Sequence, residues 1–159
     1  MRKLFLINMF LCITFFNAMA QKTVTIDGIK YHIENGEATI AVQDETLSGD
    51  IVIPESISYD GNNYSVVRAT NGAFQNTDIT GITLPNSITS LGNSCFKFCH
   101  NLTSVKLPDN ITSLGDETFM GCSDLSVIEL PKKLISLGEY CFKDCNITKL
   151  TLPNSITKL

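Results

Sequence analysis

Leu-Pro recurs at residues 84–85, 107–108, 130–131 and 152–153, at intervals of 23, 23 and 22 residues. Three other registers keep the same period: Gly92, Gly115 and Gly138; Phe96, Phe119 and Phe142; Cys99, Cys122 and Cys145. Agreement in four registers identifies an array of one supersecondary unit. Such a unit cannot bury enough apolar surface alone to offset the entropy of ordering it, so each must be covered by its neighbours.

Within a unit the pattern is LxxVxLP, as in Leu102, Val105 and Leu107. Alternation at its fourth and sixth positions predicts a short strand, which the following proline ends by removing a backbone donor. A second apolar pair, Ile111 and Leu114, precedes Gly115, whose freedom in φ predicts a turn there. Next comes "DETFMGC", where Phe119 and Cys122 are three apart. This spacing predicts one helical or 3-10 turn that drops both side chains inward. Strand, bend, turn and return make one coil, and stacking would set LxxVxLP strands side by side at ~4.8 Å in a parallel ladder.

The first part of the chain is less regular. "SGDIVIPESI" reads as a degenerate unit with Ile51, Ile53 and Pro54 in the strand positions, but Pro54 and Pro85 are 31 residues apart. The surplus lies around "SYDGNNYSV", where Asp60-Gly61 and Asn62-Asn63 between alternating residues predict a hairpin. A calcium loop is the alternative there, and its acidic spacing is wrong. Upstream, "IKYHIENGEATIAV" alternates on both sides of Asn35-Gly36, a hairpin signal. This hairpin is expected to cap the first coil and hide its open edge.

LxxVxLPxxITSLGxxxFxxC resembles the leucine-rich repeat of the BspA-like family of secreted bacterial surface proteins, over residues 47–159. The resemblance implies a right-handed leucine-rich-repeat solenoid, mostly β with a parallel sheet on one face and short turns, 3-10 or helical segments. It also implies adhesion to, or binding of, a host or neighbouring-cell surface or matrix protein, or a glycan. The expected organisation is a leader over residues 1–20, an N-terminal β cap over 21–46, and repeats over 47–159 with the last one truncated.

The leader rests on Arg2 and Lys3, an apolar run from Leu4 to Phe16, and the small-residue end Ala18-Met19-Ala20, the order of a secretory signal peptide cut after Ala20. The run is shorter than the roughly 20 apolar residues of a membrane helix. Leu11 stands before Cys12 where a lipoprotein signal carries a small residue, which argues against lipid anchoring. Past Ala20 the chain has 10 basic and 16 acidic residues and no basic cluster that would mark a nucleic-acid binder. The expected location is outside the cell or on its surface, with no transmembrane segment in the mature chain.

"NSCFKFCHN" gathers Cys95, Cys99 and His100 as soft ligands. A haem attachment needs its two cysteines closer, and a metal needs further ligands, yet His32, the other histidine, lies in the N-terminal hairpin. The repeat register instead makes Cys99 a core position and aligns Cys95 with Ala73, Thr118 and Cys141, a small-residue slot; His100 aligns with Ser123 and Asn146, a turn slot. No cofactor is expected. Five cysteines follow the leader, so one at least is unpaired within the chain. The ladder of Cys99, Cys122 and Cys145 is read as free, buried thiols. A disulfide between neighbouring coils is the alternative, since their spacing falls inside the usual range of roughly 4.4–6.8 Å between Cα atoms.

HExxH, GxSxG and phosphate-loop motifs are absent, and an enzyme would have to work with surface carboxylates alone. The expectation is a non-catalytic module. Its candidate binding face is the set of strand positions pointing away from the core: Gly81, Thr83, Ser104, Lys106, Val127, Glu129, Lys149 and Thr151. Lys106 and Glu129 are expected to pair across adjacent strands. A solvated face with no partner is the plain alternative, and a structural spacer in a larger surface protein the alternative role. Asn63, Asn101, Asn110 and Asn146 begin glycosylation acceptor patterns, expected by composition in a repeat rich in Asn and Thr. The sequence stops at "LPNSITKL", before the Gly, Phe and Cys of that unit, so the last edge is expected to fray or to mediate self-association.

Overall fold

A computed structural model describes residues 21–158; the expected leader and its cleavage point lie outside the described residues. Those residues are mostly β and contain no helix. Strands β1 (Lys22–Ile26), β2 (Ile29–Glu34) and β3 (Glu37–Ile40) form an antiparallel meander. Its two turns, Asp27-Gly28 and Asn35-Gly36, place both residues at positive φ, the geometry that matches the twist of two-residue hairpins. Strands β5 (Ser56–Tyr59) and β6 (Asn62–Ala69) make the hairpin expected at Asp60-Gly61 with the same turn geometry. The hairpin closed by Asp27-Gly28 was not foreseen, although Asp-Gly is a signal of the same kind.

Sheet order joins these pieces: β1-β2-β3-β6-β5, with β3 and β6 parallel. The strands of residues 22–40 thus share one curled sheet with the hairpin at 56–69. Next to it, β4 (Ser48–Val52), β7 (Asp78–Thr83) and β9 (Ser104–Lys106) pair in parallel and carry the LxxVxLP positions. The "SL" that precedes each repeated glycine forms a second short strand in its coil: β8 (Ser90–Leu91), β10 (Ser113–Leu114) and β11 (Ser136–Leu137). β8 pairs with β6, and β10 with β11.

The third side of each coil corrects the expected helical or 3-10 turn. Amides of Glu117, Phe119 and Gly121 donate to the carbonyls of Glu139, Cys141 and Lys143 in the next coil, each at 2.8 Å. The intervening amides close tight turns, Met120 to Glu117 and Cys122 to Phe119. Alternate donors therefore leave the coil, whereas a helix would keep every one of them on its own segment. Two residues per coil take positive φ to allow this, Ser94 and Phe98 in one, Glu117 and Gly121 in the next, Tyr140 and Asp144 after that.

Inside this frame the repeated phenylalanines stack. Ring centres of Phe74, Phe96, Phe119 and Phe142 follow one another at 5.3, 5.2 and 5.5 Å, with the ring planes nearly parallel. Phe74, Phe96 and Phe119 are fully buried. The repeated glycines have a different reason from the one expected: Gly92, Gly115 and Gly138 are not among the residues at positive φ. A methyl at Gly92 would overlap the amide nitrogen of Asn71, and one at Gly138 that of Asp116. Glycine is present because the preceding coil passes too close for a Cβ.

Candidate binding face

Register fixes which strand residues look outward. Ile51 and Ile82 are partners in the β4–β7 pair, Ile82 and Val105 in the β7–β9 pair, and all three pack against the core. Their flanking residues Asp50, Gly81 and Ser104 form one outward row; Val52, Thr83 and Lys106 form the next. Asp50 and Val52 extend the face by one strand beyond the residues the sequence singled out. The alternation of Ile51 and Ile53 already places them outward, in a strand that the 31-residue step sets apart from the regular repeat.

The face is uneven. Ser104, Lys106, Val127, Glu129, Lys149 and Thr151 are exposed and Thr83 is half-buried, but Gly81 is covered. A Cβ on Gly81 would come within 2.7 Å of Ser104 Oγ and 2.8 Å of Asp50 Oδ1, so the two polar side chains lean together over it. Asp50 also accepts a hydrogen bond from the Thr80 hydroxyl at 2.6 Å. Val52 on β4 and Val127 at an isolated bridge are 72% and 57% exposed.

Lys106 and Glu129 are not among the ion pairs of the described residues. The parallel ladder runs from β4 through β7 to β9 and stops; Val127 bridges to Lys149 instead. Without a shared ladder the two side chains are not held opposite each other. Beyond that break, Val127, Glu129, Lys149 and Thr151 come together with Leu130 and Lys132 around a concavity of about 400 Å³. Thr83, Ser104 and Lys106 lie outside it on the flatter, laddered part.

The cysteines and His100 do not form a ligand set. Cys99, Cys122 and Cys145 donate their thiol protons to the carbonyls of Phe74, Phe96 and Phe119, at 2.9, 3.1 and 3.0 Å. Those carbonyls already accept the backbone amides of Thr77, Cys99 and Cys122. Each ladder thiol therefore fills the second acceptor site of a carbonyl one coil earlier, which a plain hydrophobe could not do. All five described thiols are free. Burial pushes Cys99 up to about 11 and Cys141 to about 12, and raises Cys95 and Cys122 further. At neutral pH they are protonated, which makes them poor nucleophiles and poor metal ligands. His100 lies in an exposed turn with its ring 5.9 Å from that of Phe98. No cluster of three His, Cys, Asp or Glu residues suited to a metal occurs among the described residues.

Residues 50–159 match the BspA type leucine rich repeat region in 6 copies. The chain belongs to this family. A leucine-rich repeat protein from Bacteroides ovatus is 29% identical, with a TM-score of 0.79 over 86% of this chain and 37% of its own. Another, from Bacteroides capillosus, is 28% identical, with a TM-score of 0.68 over 85% of this chain and 94% of its own. The leucine rich repeat protein of T. pallidum, at 23% identity and a TM-score of 0.69, covers 89% of this chain and 62% of its own, and shares the fold. This BspA-type chain thus spans about a third of the Bacteroides ovatus protein. No curated protein matches it.

Proposed function

We propose that this chain is a non-catalytic binding module: a right-handed solenoid, exported to the cell surface, whose strand face docks a protein or glycan of a host or neighbouring cell. The observation that carries the reading is the outward face itself, with two largely exposed valines, mixed charge and a concavity of about 400 Å³ built from Val127, Glu129, Lys149 and Thr151. Exposed apolar side chains among unpaired charges suit a docking surface better than a merely solvated one. The family and the apolar run from Leu4 to Phe16, read as a leader, support a surface address.

Saturable binding of the purified protein to a panel of matrix proteins, glycans and cell surfaces tests this. Reversing Lys106 and Glu129 together, and replacing Val127 with Asp, should each weaken that binding about tenfold or more, the scale of a lost interface anchor. If no partner binds saturably, or if these variants bind as tightly as the parent, the docking role is wrong. A spacer within a larger surface protein is then preferred.

A further inference from the structure

The curled sheet ends in two edge strands, β1 and β5, that approach without joining. Lys22 Nζ sits 4.5 Å from the centre of the Tyr59 ring at one end of this seam, and the two strands share no ladder. At the other end lies a cavity of about 440 Å³, within the range of roughly 300–1,000 Å³ typical of ligand pockets. It opens beside the strand face, because Asp50 and Val52 belong both to its wall and to the outward rows.

Three features describe what would fill it. Ile26, Ile29, Ile51 and Ile57 give it an apolar wall. Asp27 and Asp50 supply two carboxylates, and no basic side chain is among the lining residues to neutralise them. Asp50 Oδ1 is held by the Thr80 hydroxyl, while its Oδ2 makes no hydrogen bond among the described residues. Tyr31 also lines the cavity and is only 1% exposed. Its hydroxyl has no hydrogen-bond partner among the described residues, which leaves a polar group on the wall for an occupant to satisfy. Burial first, and the nearby Asp27 charge second, push that hydroxyl up to about 12, so it stays a neutral donor and acceptor.

An apolar stem carrying a cationic head with several donors satisfies all three features. Arginine is that group: its guanidinium offers five N–H donors in a planar fork that matches a carboxylate, and its stem packs on aliphatic side chains. A lysine would bring charge but only a point donor set. We propose that this cavity takes an arginine side chain of the partner segment lying on the strand face, with Asp27, Asp50 and Tyr31 as its polar contacts; this rests on the reading of that face as a docking platform. From β4 to the coil of Lys149, the far wall of the concavity, the face spans four strand spacings, roughly 19 Å. About six residues of extended chain cover that distance, so one peptide can seat its arginine here and reach the concavity at Val127.

The test is a titration of isotope-labelled protein with N-acetyl-arginine methylamide, followed by amide chemical shifts. Saturable shifts are expected at Asp27, Asp50, Ile51 and Ile57, weakening as salt is raised. The citrulline and norleucine analogues, which keep the stem and lose the charge, should bind about tenfold or more weakly, as should the Asp27→Asn/Asp50→Asn double variant. Tyr31→Phe should bind about threefold more weakly while its spectrum stays dispersed and native. Equal binding of norleucine and arginine, an unaffected double variant with a native spectrum, or no saturation with the arginine probe would each overturn the proposal. Lys106→Glu separates the two readings, since it should spare the small probe and weaken only a whole partner. A partner that binds the face while the probe does not bind would sink the arginine site alone.

Discussion

Residues 22–69 and residues 70–158 are both built from β-strands, yet they turn corners by different physics. In the first region positive φ falls on Asp27-Gly28, Asn35-Gly36 and Asp60-Gly61 at the hairpin turns and on Gly49 in β4, residue types for which that conformation costs least. In the coils it falls on Gly72, Asn76 and Gly121, which tolerate it, but also on Ser94, Phe98, Glu117, Tyr140 and Asp144, of which the serine, phenylalanine, glutamate and tyrosine resist it by about 1–3 kcal/mol each. Inter-coil bonds hold them there: the Ser94 amide donates to Asp116 O, the Phe98 amide to Met120 O, and the Glu117 amide to Glu139 O. Hairpin corners are thus written locally, while coil corners are imposed by the next coil. Interior coils should therefore be stable only as a stack, and the hairpin sheet should be less dependent on them.

The largest test of this contrast is the phenylalanine stack. Phe96→Ala removes a fully buried ring packed between two others and should destabilise the protein by about 3–5 kcal/mol. Phe142 is half-buried and stacks on Phe119, so Phe142→Ala should cost about half as much. Urea unfolding with amide exchange checks both, and the coils should lose protection before the hairpin sheet does. Equal losses for the two rings would mean that the last coil is as well covered as the middle ones.

Glycine substitutions sharpen the comparison at a smaller scale. Gly92→Ala and Gly138→Ala force a methyl onto the backbone of the preceding coil and should cost about 2–3 kcal/mol, in the range of overpacked cores. Gly61 sits at φ 75°, and a Cβ added to it would meet no heavy atom within 4 Å, so Gly61→Ala should cost about 1 kcal/mol from conformation alone. Asparagine tells the two apart: it tolerates positive φ, so Gly61→Asn should recover most of the loss, and Gly92→Asn should be at least as damaging as alanine. Thermal melts of these variants measure this, and rescue of Gly92 by asparagine would show that φ, not contact, selects that glycine.

Much of this was readable from the sequence. Period, register, the inward Phe and Cys, and the Asn35-Gly36 and Asp60-Gly61 hairpins all follow from local pattern. What could not be read has one physical cause: neighbours decide it. Nothing in "DETFMGC" says that alternate amides will leave the coil for Glu139, Cys141 and Lys143, and so the segment looks helical. Gly115 looks like a flexible turn until the preceding coil is laid against it. For the same reason the pairing of Lys106 with Glu129 depended on a ladder that breaks between their coils. On the face, Asp50 and Val52 were legible but sat in an irregular strand. The cavity beneath them draws on β1, β2, β4 and β5, a union that only the curl of the sheet creates.

The smallest effect per residue concerns the thiols, and it again separates the two regions, because no cysteine occurs between residues 21 and 94. Burial raises the folded thiols of Cys99 to about 11 and Cys141 to about 12 from an ordinary value of 9.0. Well below pH 9 both folded and unfolded thiols are protonated, and the full stability is present. As pH rises past 9 the unfolded chain releases its protons first, so stability falls until the folded thiols also titrate. At pH 9.5 each buried thiol should have cost about 0.8 kcal/mol. Tyr31, the buried group of the hairpin sheet, starts from 10.0, so its contribution sets in later. Amide exchange between pH 7.5 and 9.5, corrected for the intrinsic rate, should show protection lost in the coils while β2 and β3 keep theirs. Cys122→Ala should reduce the pH dependence, at the cost of its hydrogen bond to the Phe96 carbonyl. Uniform loss in both regions would mean that the coils and the hairpin sheet unfold as one unit, and that the difference in how they turn has no thermodynamic counterpart.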